Sequence, residues 1–273
     1  MIKVLTILWN SFKMALQELR VNKLRTFLSL FGITIGIFCI IGVLATIDSL
    51  QTKIKSDLSS FGNNTIYIDK WSYGGGGEGD YPWWKYVKRP SMKVSEMETI
   101  QKKSYLASNI AFFVSSTQSF TYEENILKGI SMYGITNDFN KIQAFNIAYG
   151  RYFKDSDFER GVPFGVIGYE VAAELFGKPE KALGKIVSYK GRRLAVIGII
   201  EKQGSSMLGG FDYDKSCIVT YNYFASIFNP DNSSPYIMVQ AKPGITSRAL
   251  QDELNGVMRQ LRKLSPTQED NFT

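Results

Sequence analysis

The chain has no histidine, two cysteines and 25 carboxylates, and that inventory decides most of what it could catalyse. Without imidazole there is no Ser-His-Asp relay, no histidine zinc site and no ordinary near-neutral general base. The acids pair most closely at Asp155/Asp157 and Asp212/Asp214. Two carboxylates can share acid–base work on a glycosidic bond, but such pairs are far more often solvated surface groups. Nucleophile motifs fail in detail. Gly204-Ser205-Ser206 runs into Met207-Leu208, so the last glycine of GxSxG is missing, and no serine has lysine three residues on. Gly177-Lys178 and Gly184-Lys185 do not fit GxxxxGK[ST], and the glycine-rich Gly74–Gly79 has no strand-to-helix setting to cradle a phosphate. The expectation is no catalytic residue, no cofactor and no metal. Cys39 sits in an apolar run and Cys217 in Ser-Cys-Ile-Val-Thr far downstream. A bridge between them is not expected, and Cys217 reads as an inert residue of a strand core.

With chemistry set aside, the element that stands out is Thr26–Ile47, 22 residues without a charge. As a helix it spans roughly 33 Å, enough to cross a bilayer core. Arg25 closes one end and Asp48 the other. Residues 1–25 carry five Lys/Arg (Lys3, Lys13, Arg20, Lys23, Arg25) against Glu18 alone, which predicts a cytoplasmic N-terminus and an external remainder. A cleaved signal peptide is disfavoured, because the apolar stretch is too long and the leader atypical. Gly32 and Gly36 form a GxxxG pair that would let another membrane helix approach closely. In the leader, Leu5, Leu8, Trp9, Phe12, Leu16 and Leu19 fall on one helical face opposite Lys3, Asn10, Lys13, Gln17 and Arg20. Such a helix suits the inner membrane surface, with Trp9, Lys23 and Arg25 as interfacial and topological anchors and lipid as partner.

Beyond Asp48, Leu50, Ile54, Leu58 and Phe61 keep helical spacing, predicting a stalk over 48–62 with Gly62 as its cap. Thr65–Asp69 reads as a first strand. Trp71–Pro90 is a long loop with four glycines, Gly74 to Gly77, and aromatics that include Trp71, Tyr81, Trp83 and Trp84. It suits either docking to a partner or headgroups, or folding back on its own domain. Ser95 to Glu98 offers a capping box for a helix to Lys103. Strands are expected at 109–116, 118–123, 125–129 and 130–135, a short helix at 137–143, and a turn at Tyr149-Gly150-Arg151. There follow a strand (Phe164–Gly168), a helix (Tyr169–Phe176) capped by Gly177, a hairpin about Lys190-Gly191, a glycine-rich loop (Gln203–Phe211), a strand (216–220), a helix (221–228) and a strand (236–242). Leu250, Leu254, Val257, Met258, Leu261 and Leu264 stripe a last helix over 247–264 that would pack on a sheet. The order of elements predicts an α+β domain in two lobes. Its charge is nearly balanced, which argues against nucleic acid.

Short motifs then resemble, in order, the MacB-like (MacB/FtsX) ABC transporter permeases. Asn22-Lys23-Leu24-Arg25-Thr26 with Leu30-Phe31-Gly32-Ile33-Thr34-Ile35-Gly36 is similar to that family's first membrane segment. Gly62-Asn63-Asn64, Tyr149-Gly150-Arg151-Tyr152-Phe153, Val166-Ile167-Gly168, Leu175-Phe176-Gly177, Gly184-Lys185, Val196-Ile197-Gly198 and Gln268–Phe272 resemble later elements. The resemblance implies a porter-like lobe (63–144 and 214–267), an inserted smaller β-rich lobe (145–213), and the start of a missing second membrane segment at 268–273. On that reading three further membrane helices are truncated. The resemblance further implies a permease subunit that is not itself an ATPase. Its expected partners are a cytoplasmic ATP-binding subunit, a second permease in a dimer, and a periplasmic adaptor and outer-membrane channel. ATP hydrolysis would be coupled to efflux or extraction by mechanical transmission. The alternatives are a single-pass anchored sensor or assembly protein, and a tethered hydrolase, which the missing nucleophile motifs disfavour.

Overall fold

The computed structural model describes residues 2–60, 64–72, 83–143, 145–204 and 211–273. The Gly62 cap, the Gly74–Gly77 run, Tyr81 and residues 205–210 of the glycine-rich loop lie outside the described residues. The chain forms two compact units, Met1–Ser56 and Asp57–Thr273.

The first unit is helical. Helix α1 (Ile2–Val21) leads through Asn22 into α2 (Lys23–Ser60), which contains the whole of the apolar run Thr26–Ile47. Asn22 N–H donates to Glu18 O, and Thr26 N–H to Asn22 O, so the backbone ladder passes through the joint.

The second unit is a mixed sheet with helices on both faces. In chain order its elements are β1 (Thr65–Ile68), α3 (Trp83–Val87), α4 (Val94–Lys103), β2 (Ala107–Tyr122), β3 (Asn125–Ile135), α5 (Phe139–Ile142), β4 (Ile147–Gly150), α6 (Asp155–Arg160), β5 (Phe164–Ile167), α7 (Tyr169–Phe176), β6 (Ile186–Tyr189), β7 (Arg192–Ile200), β8 (Ser216–Thr220), α8 (Tyr221–Ala225), β9 (Tyr236–Ala241) and α9 (Ser247–Leu261). Among the described residues, nine strands form one sheet ordered β1-β9-β2-β3-β8-β5-β7-β4, with β6 bridging β2 and β7. The strands of 145–213 take one end of this order and the flanking strands the other. The two ends join where Val166 and Ile167 face Ile218 and Cys217, and where Thr121 faces Ser188.

The core explains the apolar runs. Along Ile110–Val114, alternate side chains point to opposite faces. Ile110, Phe112 and Val114 enter one buried cluster with α4, α7, α8 and α9; Ala111 and Phe113 enter the other with α5 and α6. Covered on both faces, the strand is continuously hydrophobic rather than alternating.

Several expectations change: 125–135 is one strand rather than two, and the loop expected over Trp71–Pro90 contains the short helix Trp83–Val87. The stretch 107–122 is one long strand rather than two, and with β3 it makes a hairpin whose register shifts between Gln118 and Phe120. The helix expected to begin with a Ser95–Glu98 box starts at Val94, and it is the Glu96 carboxylate that accepts from Lys93 N–H at 2.9 Å. The Tyr149-Gly150-Arg151 turn is the end of β4, held by Arg151 N–H to Ile197 O, a partner too remote in sequence to be read locally. The Lys190-Gly191 hairpin forms as expected, with both residues at positive φ (44° and 72°), the geometry of a two-residue turn between twisted strands.

Candidate functional site

The carboxylates singled out above hold the fold together. Asp157 caps α6: its Oδ2 accepts from Lys154 N–H at 2.9 Å and from Arg151 Nη1 at 2.8 Å. Burial opposes its ionisation, but the Lys154 amide and the Arg151 guanidinium outweigh it and hold the carboxyl below its ordinary value. Asp155 Oδ1 accepts from Asn137 at 3.0 Å. Asp212 accepts from Lys215 N–H at 3.1 Å. Asp214 is buried and takes the amides of Gln203 and Gly204 at 3.0 and 2.7 Å, so it anchors the loop that follows β7. Cys217 is fully buried, its thiol pushed up by desolvation, and both cysteines are free. Among the described residues no three Cys, Asp or Glu converge on a point that could hold a metal ion.

The surfaces that could act on something else lie elsewhere. Within Lys23–Ile54 of α2, the most apolar 18 residues have a mean hydropathy of 2.6 and none of them is buried. Thr34 and Thr46 return their hydroxyls to Leu30 O and Gly42 O, both at 2.8 Å. Their polarity is thus satisfied within the helix, as a lipid environment demands. A Cβ at Gly32 or Gly36 would meet nothing within 4 Å. Trp9 and Phe12 are exposed neighbours on α1, their ring centroids 6.2 Å apart. Of the aromatic loop, Trp83 and Trp84 on α3 are 57% and 51% exposed and meet edge-on at 6.2 Å. Trp71 is half-buried beneath the Lys70 ammonium, 5.0 Å from its ring.

A further cluster has no counterpart in the sequence reading. The Arg262 guanidinium grips the Glu96 carboxylate with two bonds, Nε at 2.9 Å and Nη2 at 3.1 Å, the side chains 5% and 10% exposed. Its Nη1 reaches Asn271 O and Oδ1, both at 3.0 Å. Arg259, one turn earlier, binds Asp270 and the carbonyls of Ser265 and Gln268. Phe272 is buried in the core beside α9, and Asp69 and Thr273 exchange both backbone bonds at 2.9 and 2.7 Å. Residues 268–273 are thus seated on the second unit. Glu96 and Arg262 lie 166 positions apart, and only the basic pair on the polar face of the last helix hints at the arrangement.

The described residues thus combine an exposed, strongly apolar helical segment with an α+β domain that follows it in the chain. A model of the MacB-like periplasmic core domain matches residues 26–257, and the chain belongs to that family, that of MacB-like ABC transporter permeases. It is 32% identical over 192 residues to the macrolide export ATP-binding/permease protein MacB of Neisseria gonorrhoeae, covering 70% of this chain and 28% of that protein. The fold is similar to the periplasmic region of MacB from Actinobacillus actinomycetemcomitans, with a TM-score of 0.62 at 18% identity over 79% of this chain and 90% of the other. It also matches the extracellular domain of the ABC-type transporter YknZ from Gram-positive bacteria, with a TM-score of 0.59 at 20% identity over 77% and 98%.

Proposed function

We propose that the chain is part of the permease subunit of a MacB/FtsX-type ABC transporter. It stands in the cytoplasmic membrane with its N-terminus inside and its main domain in the periplasm. ATP is hydrolysed by a separate cytoplasmic subunit, and a pair of permeases transmits that work outward to drive efflux or extraction. A single observation carries the reading: an exposed helical segment apolar and long enough to cross a membrane occurs in a chain that belongs to this family. The cluster of cations before the segment supports the orientation. Gly32 and Gly36 serve as a packing seam for another membrane helix, Trp9 with Lys23 and Arg25 fixes the inner boundary, and the Trp71–Trp84 region meets a periplasmic partner such as an adaptor. Residues 63–144 with 214–267 act as the porter-like lobe and 145–213 as the inserted one.

The test uses the full-length protein with its ATP-binding subunit in proteoliposomes. Two consecutive glycines inserted after Asp48 are expected to leave ATP hydrolysis within about twofold while abolishing substrate movement, because glycine softens a helix. Transport that survives the insertion would remove the mechanical reading. Failure of any ATP-binding subunit to associate would leave an anchored sensor as the better account.

A further inference from the structure

Outside α3, the exposed large aliphatic side chains of the second unit among the described residues are Ile126 and Ile186, at 63% and 40%, and the sheet register brings them to one face. Opposed residues of antiparallel strands turn their side chains to the same side. Ile126 opposes Thr121, Thr121 opposes Ser188 and Ser188 opposes Arg193. These four make a row across β3, β2, β6 and β7, and Ile186, two residues before Ser188, shares their side. The alternate residues Phe120, Leu127, Val187 and Leu194 pack into the core on the reverse, while Ser188 and Arg193 are exposed. Charge gathers on the same hairpin. Residues 178–193 carry six cations (Lys178, Lys181, Lys185, Lys190, Arg192, Arg193) against Glu180, whose carboxylate accepts from Tyr149 OH at 2.8 Å. The rest of the second unit carries 19 cations against 22 acids. All six cations are exposed, and none has a carboxylate at ion-pair distance among the described residues. Glu123 and Glu124, in the β2–β3 turn, stand at the Ile126 end of the row, so the Arg193 end is the more positive.

We propose that this face docks on the phosphate-bearing surface of an anionic phospholipid bilayer. The cations meet the headgroup phosphates, and the two isoleucines enter the boundary between headgroups and acyl chains. The apolar pair argues for a bilayer over a soluble polyanion, because a phosphate chain in water offers isoleucine nothing to enter. It is the charge that argues against a protein partner. The cores of protein interfaces are rich in aromatics and poor in lysine, and the row holds no aromatic side chain. The two-residue turn at Lys190-Gly191 holds Lys190 and the two arginines on a rigid hairpin, so little ordering is needed on contact. The face is separate from α3, and it does not rest on the transport reading, since an anchored sensor with this fold would carry it too.

The test holds the whole chain in phosphatidylcholine nanodiscs and floats it with added vesicles of phosphatidylcholine, alone or mixed with phosphatidylglycerol. Binding to the mixed vesicles is expected to be at least about tenfold tighter, and to fall away in about 1 M salt, where the screening length is about 3 Å. Arg192→Glu with Arg193→Glu is expected to abolish the preference. Lys102→Glu with Arg248→Glu, an equal change of charge at exposed positions elsewhere on the unit, is expected to keep it. Ile126→Ser with Ile186→Ser is expected to weaken binding to the mixed vesicles about tenfold. Equal binding to the two kinds of vesicle overturns the docking face, and so does a loss with the Lys102 and Arg248 pair as large as with the arginine pair. Unchanged binding by the isoleucine variant, with competition by soluble polyphosphate, overturns it in favour of a water-soluble polyanion. No transport is read in these assays, so their failure leaves the transport reading where it stands.

Discussion

Arg262 shows how much a single side chain can organise when it is buried. It ties α4, α9 and the final residues together through Glu96 and Asn271. Arg262→Ala would leave the Glu96 carboxylate buried without its cation, which costs about 3–5 kcal/mol. Thermal unfolding of the whole chain in detergent should register this as a large fall in Tm. Replacing the pair together, Glu96→Leu with Arg262→Met, should recover most of the loss, and a double variant as unstable as the single would contradict the buried-charge argument. Asp157 makes a prediction with the opposite lever. Its carboxyl titrates below the ordinary value of about 4. The ionised form is therefore favoured by folding, and its stabilisation is complete above that ordinary value. Stability is lost as pH falls through the lowered folded-state value. Asp157→Asn should cost about 1 kcal/mol near neutrality, as for a lost helix cap, and should flatten the acid limb of stability against pH. An acid limb as steep as that of the parent chain would assign it to other carboxylates.

Elements differ in how plainly the sequence announces them, and the reason is whether the information is local. The strand Phe164–Ile167, the helix Tyr169–Phe176 and the Lys190-Gly191 hairpin are all written in consecutive residues and form where expected. The membrane helix was legible for the same reason. The stretch read as two strands, 109–116 and 118–123, is continuous in the fold, where Ser115–Gln118 pair with Ile130–Tyr133 of the neighbouring strand. The grip of Arg262 on Glu96 and the bridge from Asp69 to Thr273 join distant positions, so no window of sequence could contain them. Gly168 records such a long-range constraint: a Cβ there would lie 2.1 Å from Tyr213 O. Its φ of −69° is ordinary, so the close approach of β8's lead-in is what demands glycine. Gly168→Ala is expected to cost about 1–3 kcal/mol, read as a lower denaturant midpoint, and an unchanged midpoint would mean the Tyr213–Asp214 backbone can yield. In α2, Ile37→Arg near mid-segment should cost about 2.5–3.5 kcal/mol of insertion and raise the carbonate-extractable fraction. If extraction is unchanged, the helix is not lipid-embedded there.

At a larger scale, the second unit is built on a sheet covered on both faces, and several of the side chains packed there are tyrosines. Desolvation pushes the phenols of Tyr152, Tyr189 and Tyr213 upward, and that of Tyr67 to about 12. The unfolded chain ionises these groups at about pH 10 while the native state resists, so deprotonation favours unfolding. The tyrosines' contribution to stability is expected to be flat below that pH and to fall steeply above it. Absorbance at 295 nm should show the exposed tyrosines titrating first and the buried ones appearing only with loss of near-ultraviolet dichroism. A smooth titration of all fifteen with the fold intact would refute the burial assigned to them.

The solitary thiol at 217 has a practical meaning for anyone handling the outer unit. Sealed in the sheet and pushed towards its neutral form, it is silent to alkylating and oxidising reagents while the protein is folded. A reactive handle introduced anywhere on that unit's surface would report alone, and the appearance of a second modified sulfur there would be a direct count of molecules that had come undone.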